Sequence, residues 1–348
     1  MKSVSKVLNS NISQQLFYLL VLVLFLRIDL VFENNTPTGG DMGAHIVAID
    51  TFIKDFMPNL QINGWSNDWF GGYPLYYFYF PLPAIITYIL NTVFSFGIAF
   101  KIMVVMSTIL VVYSIEKLMR KTSNQISIYG ATAGLFYVFT ESFTIYGGNL
   151  ASTLAGQFSF AYSLAFANLS IFYLIKSKNN FRFTISSIFL ALCLLSHLIP
   201  FIIYSPIYAF YWLSKKQNLN QRILSIFIFL ALASRWSVSL LMNLEYTTNM
   251  SYTPFSRLDD LIKKDILPII FILIGLLIAK HKNLIKYKTI NLFDLYIISS
   301  SVLLYFYVPE GALWNGRLVP FFNLGIIFLF FKAVEIFIDD INLYQQGV

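Results

Sequence analysis

Apolar runs recur along this chain at close to the roughly 20 residues that an α-helix needs to cross a bilayer. They fall at about 14–33, 98–118, 126–146, 155–176, 182–198, 200–214, 222–242, 265–281, 290–308 and 318–337, which predicts ten transmembrane helices. Only 12% of the 348 residues are charged, about half the share usual in a soluble domain. A spanning segment must satisfy its backbone N–H and C=O groups internally, and a helix does so without a partner strand. The expected fold is therefore all-α and polytopic, with 1–348 forming a single transmembrane domain. The first run carries Arg27 and Asp29 and is followed by no small-residue cleavage signature, so it reads as an uncleaved span. The lone cysteine, Cys193, lies in an apolar run and reads as a small buried hydrophobe.

One further apolar segment, 73–96, carries three prolines near its start and many tyrosines. Charge placement argues against its crossing. With a cytoplasmic N-terminus and 73–96 outside the membrane core, the inner loops are "EKLMRKTSN", "KSKNNFR", "SKKQNLNQR" and "KHKNLIKYK". Each holds at least three Lys or Arg, as cytoplasmic loops do. Reading 73–96 as a span would reverse every later loop. It is therefore expected as a helix lying in the interface, within a large first outer loop over 34–97. The net charge of +7 then reflects cytoplasmic loops and no nucleic-acid partner. The expected location is a bacterial plasma membrane. His281, in the last basic loop, reads as solvated.

This topology gathers the unusual polar motifs on one side. "GGDMGAH", "IYGGNLAST", "SHLIP", "EYTTNMSY" and "GALWNGR" all fall at outer ends of spans or in outer loops. Asp41 and His45 are four apart and share a helix face, and Asp50 lies about a turn further on. An acid here could act as general base or hold a divalent cation. It could equally cap the stretch "MGAHIVAIDTFIKDF". Asn149 and His197 join the candidates from the second and third motifs. Arg317 could grip a phosphate with its planar fork, or anchor at the interface beside Trp314. Trp65 and Trp69, among tyrosines and acids, suit sugar rings and lipid headgroups alike. Arg27, Asp29, Glu141 and Arg235 sit within spans, where charges face a partner or a cavity. Three histidines spread over both sides exclude a three-histidine zinc site, and no Walker loop or Ser-His-Asp set is present.

The ordered motifs "GGDMGAH", "GWSNDWFGGYPLYYFYFPLP", "IYGGNLASTLAGQFSF", "HLIP" and "YTTNM", spanning about 36–252, resemble bacterial integral membrane proteins labelled 6-pyruvoyl-tetrahydropterin synthase-related. That label implies no pterin chemistry, because pterin synthases are soluble zinc enzymes. More broadly the layout resembles the multi-span polyprenyl-phosphate-dependent glycosyltransferases of the GT-C class. The resemblance implies an acid after the first span at the catalytic centre, where Asp41 stands, and a late arginine at the lipid phosphate, where Arg317 stands. With Asp41, His45 is the second candidate catalytic residue. Asp50, Asn149, His197, Arg235, Trp65 and Trp69 would contact substrate. A cofactor is not implied, although Asp41 could hold a divalent cation. The partners would be a polyprenyl-phosphate sugar and a glycan or lipid acceptor at the outer membrane face. A transporter or flippase, with the intramembrane charges along its path, and a non-catalytic scaffold for envelope assembly are the competing expectations.

Overall fold

The computed structural model describes residues 11–69, 71–122, 129–141, 145–176, 180–248, 252–280, 292–309, 311 and 313–345. His281 and nearly all of the last basic loop fall outside these residues. The described chain is overwhelmingly helical. The helices are α1 (Asn11–Phe25), α2 (Met42–Thr51), α3 (Leu82–Asn91), α4 (Phe96–Thr122), α5 (Tyr129–Phe139) and α6 (Phe158–Ile175). They continue with α7 (Asn180–Ser196), α8 (Leu198–Ser214), α9 (Leu219–Met242), α10 (Leu267–Lys280), α11 (Leu292–Tyr307) and α12 (Val319–Gln345).

Among the described residues, four helical stretches are long and apolar enough to cross a membrane: Phe96–Met119, Leu150–Ile175, Leu219–Met242 and Asn315–Glu335. Five more apolar helices of 10–17 residues accompany them among the described residues. The first run stops at Phe25 because Arg27 turns left-handed, φ 47°, with its guanidinium 2.6 Å from Asp29; the chain then resumes as the turn Ile28–Val31. Within the run over 126–146 the described helix is Tyr129–Phe139, and Thr140 and Glu141 lie outside it. The last helix continues through the acidic tail to Gln345.

The segment 73–96 is not one long helix. It begins as strand β2 (Tyr73–Leu75), paired antiparallel with β1 (Gly64–Ser66), and ends in the ten-residue α3. At 1.5 Å per residue that helix is about 15 Å long, half the thickness of a hydrocarbon core. The small hairpin is a departure from a purely helical chain.

Helix α6 is the centre of the bundle, packed against α4, α7 and α8. Its sequence "FSFAYSLAFANLSIFYLI" alternates large rings with Ala and Ser, and small residues let helices approach closely where no hydrophobic gradient drives them together. Polar side chains then cross-link the neighbours. Tyr162 donates to the Met103 carbonyl at 2.7 Å, and Ser163 to the Cys193 and His197 carbonyls. Asn168 donates to Ser114 and accepts from Tyr204 at 2.6 Å. Cys193 is buried and unpaired with any other thiol. Helix α9 is the opposite case. Ile223, Ile226, Phe227, Leu230 and Leu241 are all exposed along it, the surface that a lipid-facing helix presents.

The loop after the first helix is fixed by Lys101 of α4. Its ammonium donates to the Leu30 and Glu33 carbonyls at 2.6 Å each and to Asn35 Oδ1 at 2.7 Å. Three donors thus meet three acceptors, which is what lets a lysine be buried there. This clamp sets where the glycine-rich segment 36–41 begins.

Candidate functional site

The segments that open α2, α6, α8 and α12 enclose a cavity of about 600 Å³. Two glycine motifs press together to form its floor. Asp41 N–H donates to the Ala155 carbonyl at 3.0 Å, and a Cβ on Gly40, at φ 51°, would collide with that same carbonyl. Gly156 lies in a π-helical turn, Thr153–Gln157, at φ 103°. A Cβ there would sit 2.9 Å from Asp41 Cβ and 3.2 Å from His45 Cδ2. Both positions need glycine for the approach and for the left-handed backbone.

Asp41 occupies the N-cap position of α2 but makes no side-chain cap bond. Its carboxylate instead accepts from Gln157 Nε2 at 3.2 Å. The other end of that amide, Oε1, accepts from Arg317 Nη1 at 2.7 Å, and the same nitrogen donates to the Tyr146 carbonyl at 3.2 Å. Gln157 therefore joins the acid that follows the first helix to the guanidinium that precedes the last. Tyr79, also on the wall, is partly buried beside them, and desolvation pushes its phenol up to about 12, so it stays a neutral hydroxyl.

His45 lines the cavity with its ring near Tyr79 (5.4 Å between centroids) and edge-on to Phe158 (4.8 Å). Burial drives its pKa down to about 4, against the opposing pull of the Asp41 charge and the Gly156 backbone. The imidazole is thus neutral at pH 7. His197 stacks on Phe80 at 4.6 Å, meets Phe160 edge-on, and caps α8 by accepting the Ile199 N–H at Nδ1. It too reaches the cavity wall.

Aromatic pairs complete the wall. Trp69 lies 5.9 Å from Tyr73, and Tyr252 stacks on Trp314 at 5.0 Å with planes 25° apart. Thr247 and Thr248 add hydroxyls. Asn315 holds the second pair in place. It accepts the Phe255 N–H and donates to the Phe255 and Tyr305 carbonyls, clamping the 252–257 segment beside Trp314.

Of the residues expected from sequence, Asp41, His45, Trp69, His197 and Arg317 converge on this cavity; Asp50, Asn149, Arg235 and Trp65 do not line it. Asp50 points away and pairs with Lys54 at 2.6 Å, four residues on. Asn149 is buried and structural: it accepts the Ser152 N–H at 2.8 Å and donates to the Thr140 carbonyl. Arg235 donates to the Leu60 carbonyl at 2.6 Å, tying α9 to the first loop. Trp65 is 61% exposed and covers Gly72. Gln157, Tyr79, Tyr252 and the two threonines were not anticipated. The signal for Gln157 was a lone polar residue after a glycine at the head of an apolar run, in "LAGQF".

The donor set does not suit a divalent cation. Among the described residues, no three His, Cys, Asp or Glu side chains group as metal ligands. Asp41 and His45 lie together, but the His45 ring is engaged with the Gly156 backbone and hemmed by aromatic rings. What the site can do is accept a proton at Asp41 and compensate an anion at Arg317.

The interlock at the floor has a measurable consequence. Gly156→Ala is expected to lower the apparent melting temperature in detergent by several degrees. A non-glycine residue in the left-handed region costs about 1–2 kcal/mol, and the close approach to Asp41 adds to this. Gly43→Ala, in α2 with nothing near its added Cβ, is the control, and should hold or raise the melting temperature. Equal melting of the two variants would contradict the interlock. No protein-family model matches this chain, and neither does any curated protein.

Proposed function

We propose that the protein is a membrane glycosyltransferase that moves a sugar from a polyprenyl-phosphate donor to a hydroxyl acceptor. The carrying observation is the single cavity in which Asp41 and Arg317 are linked through Gln157. In the proposed topology the N-terminus is cytoplasmic, ten segments cross, and the cavity faces the non-cytoplasmic side. The resemblance of the "GGDMGAH" region to the GT-C layout supports this reading, as does the basic content of the opposite loops.

The reaction is an inverting single displacement. The acceptor hydroxyl oxygen attacks the anomeric carbon while Asp41 takes its proton. The bond from anomeric carbon to phosphate oxygen breaks, and the electron pair leaves on the polyprenyl phosphate. Arg317 lies where that growing negative charge needs compensation, and its planar fork suits phosphate oxygens. His45 and Tyr79, both neutral, orient hydroxyls without adding charge. The lipid tail would leave the cavity along the apolar flank of the bundle.

Membranes containing the protein, incubated with a polyprenyl phosphate bearing a radiolabelled sugar, should release labelled glycoside and unlabelled polyprenyl phosphate. An intact donor after incubation with a full range of hydroxyl acceptors would overturn the reading. Movement of the intact lipid-linked sugar between leaflets would identify a carrier instead.

A further inference from the structure

We infer that the acceptor is itself a carbohydrate, held by a sugar-ring subsite at Trp69 and Tyr73 that is separate from the donor-sugar platform at Tyr252 and Trp314. The inference rests on the transfer reading above and deepens it.

A flat aromatic face offers a sugar ring its C–H groups' best surface, and a hydroxyl-lined wall meets the ring's edges. Two aromatic pairs line the cavity, Trp69 with Tyr73 at 47° and Tyr252 with Trp314 at 25°. They belong to different parts of the machinery. Trp314 precedes Arg317 within the same tight turn, where the Arg317 N–H donates to the Trp314 carbonyl at 3.0 Å. A sugar on the Tyr252–Trp314 stack is therefore next to the phosphate-compensating charge, as the donor sugar must be.

Trp69 belongs to the acid's side. Its neighbour Asp68 accepts from Thr51 Oγ1, at the end of α2, at 2.5 Å, and from Ser66 Oγ at 3.2 Å. The hairpin that carries Tyr73 is thereby fastened to the helix that begins at Asp41. The proton-accepting group defines where the acceptor hydroxyl sits, so the molecule on the Trp69–Tyr73 face is the acceptor. A simple alcohol acceptor has no use for an aromatic face beside polar groups. A pyranose ring uses both.

Wild-type protein in detergent should show saturable quenching of tryptophan emission by neutral hexose trisaccharides, tested across gluco-, manno- and galacto-configured sugars. Trp69→Ala should abolish the quenching by the preferred trisaccharide. In transfer assays it should raise the acceptor KM about tenfold and leave the donor KM unchanged. Trp69→Phe, which keeps a flat ring, should recover most of the acceptor affinity and guards against a folding defect. Trp314→Ala should do the reverse, raising the donor KM. Trisaccharide binding that depends on Trp69, in a protein that leaves the labelled donor intact, would keep the sugar subsite and sink the transfer reading. Transfer that proceeds with Trp69→Ala at an unchanged acceptor KM would sink the subsite and keep the transfer reading. An aromatic rim that serves the lipid interface alone gives no saturable quenching by any trisaccharide, and that result overturns the inference.

Discussion

Asp41→Asn is expected to abolish sugar transfer, by a factor of about 10²–10⁴ if the carboxylate acts as general base, with the protein still folded and inserted. The fold does not depend on the charge. The bonds that fix this segment come from the backbone: Asp41 N–H to the Ala155 carbonyl, and His45 N–H to the Asp41 carbonyl at 3.1 Å. The side chain makes no cap bond, and an asparagine oxygen can still accept from Gln157. What disappears is the capacity to take a proton. His45 offers no substitute, because a ring whose pKa has fallen to about 4 through burial is a weak base at neutral pH. The assay is transfer of label from polyprenyl-phosphate sugar in washed membranes, with the melting temperature of the purified variant measured alongside. Transfer at the wild-type rate would remove Asp41 from the chemistry. Loss of transfer together with a collapsed melting temperature would assign it a structural role.

Much of the helical scaffold was legible because the bilayer is a severe solvent. A run such as 222–242 can satisfy its backbone in only one way, and α9 follows it closely. The errors fell where a side chain overrides the apolar pattern. Arg27 swings into the left-handed region beside Asp29. Strand β2 and the turn after it were hidden in an apolar, tyrosine-rich segment because three prolines and short strands leave no helical period to read. At the site, charge made residues visible. Asp41 and Arg317 stand out in a chain this apolar, since a charge near lipid is costly unless it has a purpose. Gln157, which bridges them, is neutral and cheap to place, so nothing in its type marks it. Arg235 stood out for the same reason as Arg317, yet its partner is the carbonyl of Leu60, and a backbone acceptor 175 residues away leaves no trace in sequence. Asp50 was the reverse case, because its partner Lys54 at i+4 was in plain view.

The other large effect lies away from the cavity, where α11 and α12 share a buried ion pair. Lys332 Nζ donates to Asp294 Oδ2 at 2.5 Å, with the two side chains 2% and 0% exposed. Glu335, one turn beyond Lys332 and itself buried, adds a second carboxylate to the same ammonium's surroundings. Removing one partner of a buried pair leaves a charge with neither water nor counter-ion, which typically costs 3–5 kcal/mol, a large part of the stability of an ordinary domain. The two single variants should not be equivalent. Asp294→Leu leaves Lys332 with Glu335, whereas Lys332→Met removes the cation that acts on both buried carboxylates. Lys332→Met is therefore expected to be the more damaging, with a sharply lower melting temperature in detergent and poor yield from membranes. The double variant, Asp294→Leu with Lys332→Met, should recover part of the loss, because the Asp294 charge is gone while buried Glu335 still lacks that ammonium. A Lys332→Met protein that melts with the wild type, or a double variant no better than its worse parent, would show that the pair does not hold these two helices together.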